Sequence, residues 1–93
     1  MAYTASALIK IAEAEVGYLE KKSNSNLDSK TGNAGYNNYT KYARDLFKAG
    51  YYNGNKNGYA WCDVWHDWCH WIAAGKDAKE AQRMICQTGD YLK

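Results

Sequence analysis

The thiol and imidazole side chains all lie between residues 62 and 86. They are Cys62, His66, Cys69, His70 and Cys86. Thiolate and imidazole groups are the ligands that zinc selects, and a thiolate is also the nucleophile of cysteine-dependent hydrolases. The same residue types also occur as small buried thiols and solvated imidazoles without a chemical role. The sequence therefore raises two chemical functions for this segment, metal binding and covalent catalysis.

Cys62 follows a loop rich in asparagine and glycine and opens a segment rich in tryptophan. The pattern predicts that Cys62 lies in the first turn of a helix, where unpaired backbone N–H groups and the helix dipole favour a thiolate. His66 lies one turn later and could form an ion pair with Cys62 within the helix. Because the sequence implies neither a cleft nor an oxyanion site around His66, we do not expect this pair to catalyse acyl transfer.

Helix geometry limits which of these residues can share a metal ion. Cys62 and Cys69 would be separated by about 10.5 Å along a straight helix, which is too far for both thiolates to reach one ion. A short turn at residues 75–77 predicts that the next helix runs back antiparallel, which places Cys86 opposite residues 62–66. We therefore expect Zn²⁺ to be bound by Cys62, His66 and Cys86, with His70, Cys69, a carboxylate or water as the fourth ligand.

Four segments have the apolar periodicity of helices, and no segment has the pattern of a β-strand. The predicted helices run from Thr4 to about Val16, from Tyr39 to Ala49, from Trp61 to Ala74 and from Ala78 to about Thr88. Thr4 and Asp77 are predicted to be the N-caps of the first and fourth helices. Gly17, Gly50 and Gly89 are predicted to end the first, second and fourth helices. The fold class is therefore predicted to be all-α, as a small four-helix domain with long polar loops.

Length and charge exclude several classes of protein. A chain of 93 residues has room for one modest core, so we expect one helical domain over residues 1–93. The 12 basic and 10 acidic residues are scattered and give a formal net charge of +2, so direct nucleic-acid binding is not expected. We find neither a membrane span nor a signal peptide and expect the protein in the host-cell cytoplasm.

Three segments resemble the N-terminal half of CHAP-type cysteine amidohydrolases and peptidases of phage lysins and prophages. They are residues 15–20, 37–42 and 57–63, within a likeness that runs from about residue 5 to residue 87. The resemblance implies that Cys62 is the nucleophile and that the reaction is amide hydrolysis in peptidoglycan. It also implies a following β-sheet that carries the general-base histidine, and no segment before Lys93 matches it. We therefore expect the fold to lack the β-sheet half of a papain-like hydrolase.

The histidines at positions 66 and 70 depart from the resembled family, which carries apolar or aromatic residues there. Together with the missing sheet, they favour a small phage or prophage protein that binds zinc and acts by binding a host protein, without catalysis of its own. The class that this suggests is an inhibitor of a defence nuclease of the anti-CRISPR type, with an RNA-guided nuclease as partner. We expect a monomer or a metal-bridged dimer. The alternative is a truncated or inactive fragment of a cell-wall cysteine amidase or endopeptidase with Cys62 as nucleophile.

Overall fold

The computed structural model of the protein describes residues 3–52 and 54–88, with side chains as far as residue 83. Within these ranges the chain forms four helices, α1 (Ala5–Ala14), α2 (Lys41–Lys48), α3 (Cys62–Ala73) and α4 (Ala78–Thr88). The same ranges contain no strand, and isolated bridges join Lys21 to Ala34 and to Tyr39. The predicted all-α fold is confirmed. The predicted cap at Gly89 lies outside the described residues.

Threonine side chains set the starts of the first two helices. Thr4 Oγ1 accepts a hydrogen bond from the Ala7 amide at 3.1 Å, and Thr40 Oγ1 accepts one from the Ala43 amide at 3.2 Å. These bonds satisfy N–H groups that have no acceptor within the helix. Because Thr40 is the N-cap, α2 begins two residues later than the periodicity predicted.

The core forms around α3, which packs against the other three helices. The buried ring of Tyr42 in α2 lies 5.7 Å from the Trp61 ring and 4.9 Å from the Trp68 ring, measured between centroids. Trp68 Nε1 donates a hydrogen bond to Asp45 Oδ2 at 3.0 Å, so this buried indole also has its polar group satisfied. No helix within the described ranges is long and apolar enough to cross a bilayer.

Backbone hydrogen bonds fasten the long polar segment between α1 and α2. The Lys21 amide donates to the Tyr39 carbonyl at 2.8 Å, and the Lys22 amide donates to the Asn33 carbonyl at 3.0 Å. The Gly35 amide donates to the Glu20 carbonyl at 3.0 Å, which adds a third tie. This segment is therefore held in a defined position beside the start of α3, despite its loop-like composition.

Candidate functional site

The first residues of α3 are exposed to solvent, and they include Cys62, the predicted nucleophile. Trp61 is the N-cap residue, and Cys62 is the first helical residue, with an exposed side chain. Among the described residues no side chain caps this helix, so the amide N–H groups of its first turn have neither an intrahelical acceptor nor a side-chain cap. Amide groups at such a position stabilise negative charge on a bound group or an adjacent side chain.

Trp61, the residue before Cys62, is anchored by two other segments. Its ring stacks on Tyr42 at an interplanar angle of 18°. Its Nε1 donates to Glu20 Oε1 at 3.2 Å, while Glu20 Oε2 accepts from the Asn38 amide at 3.0 Å. One carboxylate thus ties the long polar segment to the start of α3. Sequence reasoning missed Glu20, because its partners lie far away in the chain.

A groove with mostly apolar walls lies beside Trp61, and we call it the aromatic groove. Its volume is about 270 Å³, and it is lined by Tyr18, Leu19, Glu20, Ala34, Gly35, Tyr36 and Trp61. The side chain of Tyr36 is 94 % exposed at its edge. Because its walls are mostly apolar, the groove is suited to an apolar or aromatic group.

A second groove, of about 660 Å³, is lined by the loop before Cys62 and by the first two turns of α3. Asp67 contributes to its lining although the residue is 0 % exposed. Its Oδ2 accepts a hydrogen bond from the Tyr52 hydroxyl at 2.5 Å. Burial raises the pKa of the Asp67 carboxyl, and the contacts with Tyr52 and His66 partly offset this rise. An aspartate gives no sequence signal of burial, because this residue type is ordinarily solvated.

The two histidines of α3 come together in the structure. The centroids of the His66 and His70 rings are 4.6 Å apart. His66 has a half-exposed side chain, and its Nδ1 lies 3.8 Å from Asp67 Oδ1. His70 is buried, and its Nδ1 is hydrogen-bonded to the Tyr3 hydroxyl at 2.5 Å. The aromatic hydroxyl from the start of the chain is a partner that sequence reasoning did not identify.

The three cysteines have different surroundings. Cys69 is 2 % exposed, and burial raises the pKa of its thiol to about 12, so it is a neutral core residue at physiological pH. Cys62 is exposed at the start of α3. Cys86 belongs to α4, which packs against α3, and its side chain lies outside the described residues.

These positions limit which residues could bind zinc. Among the described side chains, no group of three or more histidine, cysteine, aspartate or glutamate residues could hold a metal ion. Cys69 and His70 are buried, and the side chain of Cys86 lies outside the described residues, which leaves Cys62 and His66 as the solvent-accessible members of the predicted set. A zinc site in a protein takes at least three protein ligands. The described residues alone therefore do not fit zinc, and the predicted site depends on Cys86 and stays a prediction.

Comparison of the chain with family models, with curated protein sequences and with solved structures finds no match in any of the three. The likeness to CHAP-type hydrolases therefore rests on the three sequence segments and stays a prediction.

Proposed function

We propose that this chain is the helical module of a cysteine-dependent amide hydrolase, with Cys62 as nucleophile and peptide bonds of bacterial cell walls as substrate class. The observation that carries the proposal is the position of Cys62, exposed at the uncapped start of α3 directly after Trp61. Trp61 in turn lines the aromatic groove. The resemblance of residues 57–63 to the nucleophile segment of CHAP-type hydrolases supports the same assignment.

The chemistry follows from the groups at this helix start. The Cys62 thiolate would attack the amide carbonyl carbon, and amide N–H groups of the first turn would stabilise the resulting oxyanion. The thiol proton passes to a base and then to the leaving amine, and water hydrolyses the thioester. The described residues contain no sheet that could carry a base as in the resembled family. The base therefore has to come from the helices or from a segment that packs against them.

The aromatic groove would bind the part of the substrate beside the scissile bond. The indole of Trp61 and the exposed ring of Tyr36 offer flat apolar surfaces for methyl groups or for the C–H face of a sugar. The tie through Glu20 fixes the Trp61 indole, so the wall of the groove is formed before the substrate binds.

Hydrolysis of purified peptidoglycan tests the proposal, with release of new amino termini as the readout. We expect the wild-type protein to release them and Cys62→Ser to release none, because serine is a far weaker nucleophile in a site built for a thiolate. Cys69→Ala is the matched control, since it removes a buried thiol and leaves Cys62 in place. Release by Cys62→Ser at the wild-type rate, or none by the wild-type protein, contradicts the proposal.

A second candidate is the non-catalytic function, in which the protein binds a host protein and inhibits a defence nuclease. The exposed ring of Tyr36 beside the aromatic groove favours it, because exposed aromatic side chains are typical anchors of protein interfaces. Zinc bound by Cys62, His66 and Cys86 would join α3 to α4 in this function. We expect inhibition of DNA cleavage by an RNA-guided nuclease of the host, weakened at least about tenfold by Tyr36→Ala. Full cleavage at saturating protein contradicts this candidate.

A further inference from the structure

A groove with basic walls lies between the second half of α2 and the end of α3, and we call it the basic groove. Its volume is about 440 Å³, and it is lined by Arg44, Asp45, Lys48, Ala49, Trp71 and Lys76. A groove of this volume can hold a small molecule. We propose that the basic groove binds a small molecule through a terminal phosphate group. The inference is independent of the proposed function of Cys62, because this groove shares no lining residue with either groove at the start of α3.

Three cations and one carboxylate line the basic groove. The Arg44 guanidinium is already engaged, because it donates to Asp45 Oδ1 at 2.8 and 2.9 Å and to both oxygens of Asp28. Lys48 and Lys76 are exposed, and neither forms an ion pair with a described residue. A phosphate monoester carries a charge of about −1.5 to −2 at pH 7. The two lysine ammonium groups therefore match a terminal phosphate in charge.

Trp71 adds a hydrogen-bond donor to the wall of the basic groove. The residue is 7 % exposed, and its Nε1 is buried without a hydrogen-bond partner in the part of the chain that the structure describes. The indole N–H groups of Trp61 and Trp68, by contrast, donate to carboxylates. A buried donor without an acceptor is unfavourable and rare in folded proteins. An oxygen of the bound phosphate supplies the acceptor that Trp71 lacks.

Lys76 covers the Trp71 ring. Its Nζ lies over the ring, 5.9 Å from the centroid. Its backbone is in the left-handed region, with φ at 65°, and its amide donates to the Trp71 carbonyl at 2.8 Å. The turn after α3 thus holds the backbone of Lys76 beside the indole, while the four-carbon side chain can rotate. When the ammonium group moves from the ring to the phosphate, the Trp71 N–H is uncovered for an oxygen of the same ligand.

NMR titration with inorganic pyrophosphate at constant ionic strength tests the proposal, with the tryptophan indole N–H signals as the readout. The Trp71 signal is identified by its loss in Trp71→Phe. We expect this signal to shift saturably, because its N–H gains an acceptor, and the signals of Trp61 and Trp68 to stay in place. Dimethyl phosphate carries one negative charge and represents the diesters of lipids and nucleic acids. We expect it to bind at least about tenfold more weakly than pyrophosphate.

Lys48→Ala and Lys76→Asn separate binding from folding. We expect each variant to raise the Kd for pyrophosphate by about tenfold, because each removes one of the two unpaired cations. Asparagine adopts the left-handed region more readily than lysine, so Lys76→Asn is expected to be at least as stable as the wild-type protein in urea. Lys10→Ala removes an exposed lysine of α1 outside the basic groove and is the matched control for net charge. It is expected to bind pyrophosphate as the wild-type protein does.

Three results overturn the inference. One is a Trp71 signal that does not move up to about 10 mM pyrophosphate. Another is equal weakening by Lys10→Ala and by Lys48→Ala, because the attraction would then follow the net charge of the protein. The third is binding of dimethyl phosphate as tight as that of pyrophosphate, which removes the assignment to a terminal phosphate. None of these results bears on Cys62, so the proposed function stands or falls by its own experiment.

Discussion

Cys62 and His66 lie at the open end of α3, whereas Cys69 and His70 lie one to two turns further on in the core. The residue types are the same and the helix is the same. Cys62 is exposed and His66 is half-exposed, whereas Cys69 and His70 are each 2 % exposed. Burial keeps the Cys69 thiol neutral, and a hydrogen bond to Tyr3 engages His70. The comparison shows that tertiary surroundings, rather than residue type, decide which cysteine of this helix can react.

Alkylation by iodoacetamide gives the largest expected contrast between the two pairs. At pH 8 a thiol with a pKa of about 12 has roughly 10⁻⁴ of its molecules as thiolate, about a thousandfold less than an ordinary thiol. We expect Cys62 to be modified in native protein and Cys69 only in urea, as measured by peptide mass spectrometry. Equal modification of both thiols in native protein would falsify the difference in burial.

Truncation of tryptophans tests the same contrast through stability. Trp68 is buried and bonded to Asp45, so Trp68→Ala is expected to cost about 3–5 kcal/mol of unfolding free energy. Trp61 is only partly buried at the aromatic groove, and Trp61→Ala is expected to cost about 1–3 kcal/mol. Urea denaturation measures both values. A larger loss of unfolding free energy for Trp61→Ala than for Trp68→Ala would contradict this prediction, because it would place the more stabilising contact at the start of α3.

High pH should weaken the buried end of α3. The pKa of the Cys69 thiol is raised on folding, so the unfolded chain loses this proton first and stability falls as pH rises above about 8.5. Between pH 9 and pH 11 we expect the thiol to account for a loss of about 2 kcal/mol. Urea denaturation across this range, with Cys69→Ala as the reference protein, isolates its share. An identical pH dependence in the two proteins contradicts the buried thiol.

Zinc binding is expected to affect Cys62 and His66 at the start of α3 and to leave the buried Cys69 and His70 unchanged. If Cys86 joins Cys62 and His66, one equivalent of Zn²⁺ is expected to slow alkylation of Cys62 at least about tenfold, and EDTA to reverse the effect. Cys86→Ala is the matched control and should abolish the protection. Less than one zinc per several chains in metal-replete protein, by elemental analysis, excludes this site.

Substitution of Asp63 is expected to have the smallest effect on the reactivity of Cys62. Its exposed carboxylate follows Cys62 in the first turn of α3 and would repel any negative charge at the sulfur through space. Asp63→Asn is therefore expected to speed the alkylation of Cys62 by about two- to threefold at low ionic strength. The gain should shrink in high salt, because exposed charges are screened. A slower reaction in Asp63→Asn shows that this carboxylate does not repel the thiolate.

Periodicity and capping residues predicted the helices well, because both are local properties of the chain. The predicted helix from Trp61 to Ala74 is one residue longer at each end than α3 (Cys62–Ala73). The sequence could not predict contacts between distant segments, such as those from Glu20 to Trp61 and from Tyr3 to His70. These contacts depend on how the helices pack, which a pattern of apolar residues does not specify.

The candidate site was predicted in part. Cys62 at the start of a helix and His66 one turn later followed from spacing alone. The burial of Asp67 did not, because an aspartate on the polar face of a helix is ordinarily solvated. The zinc set depended on Cys86, whose side chain lies outside the described residues.

The hydrogen bond between Tyr52 and Asp67 links the loop before Cys62 to a buried carboxyl group in the second turn of α3. The Tyr52 hydroxyl lowers the pKa of the buried Asp67 carboxyl, opposing the effect of burial. A movement of the loop that withdrew this hydroxyl would raise that pKa further, and the carboxyl would then bind a proton more readily. Neutral Asp67 would attract the His66 imidazole less strongly. The conformation of the loop before α3 thereby tunes the electrostatic field around the His66 side chain.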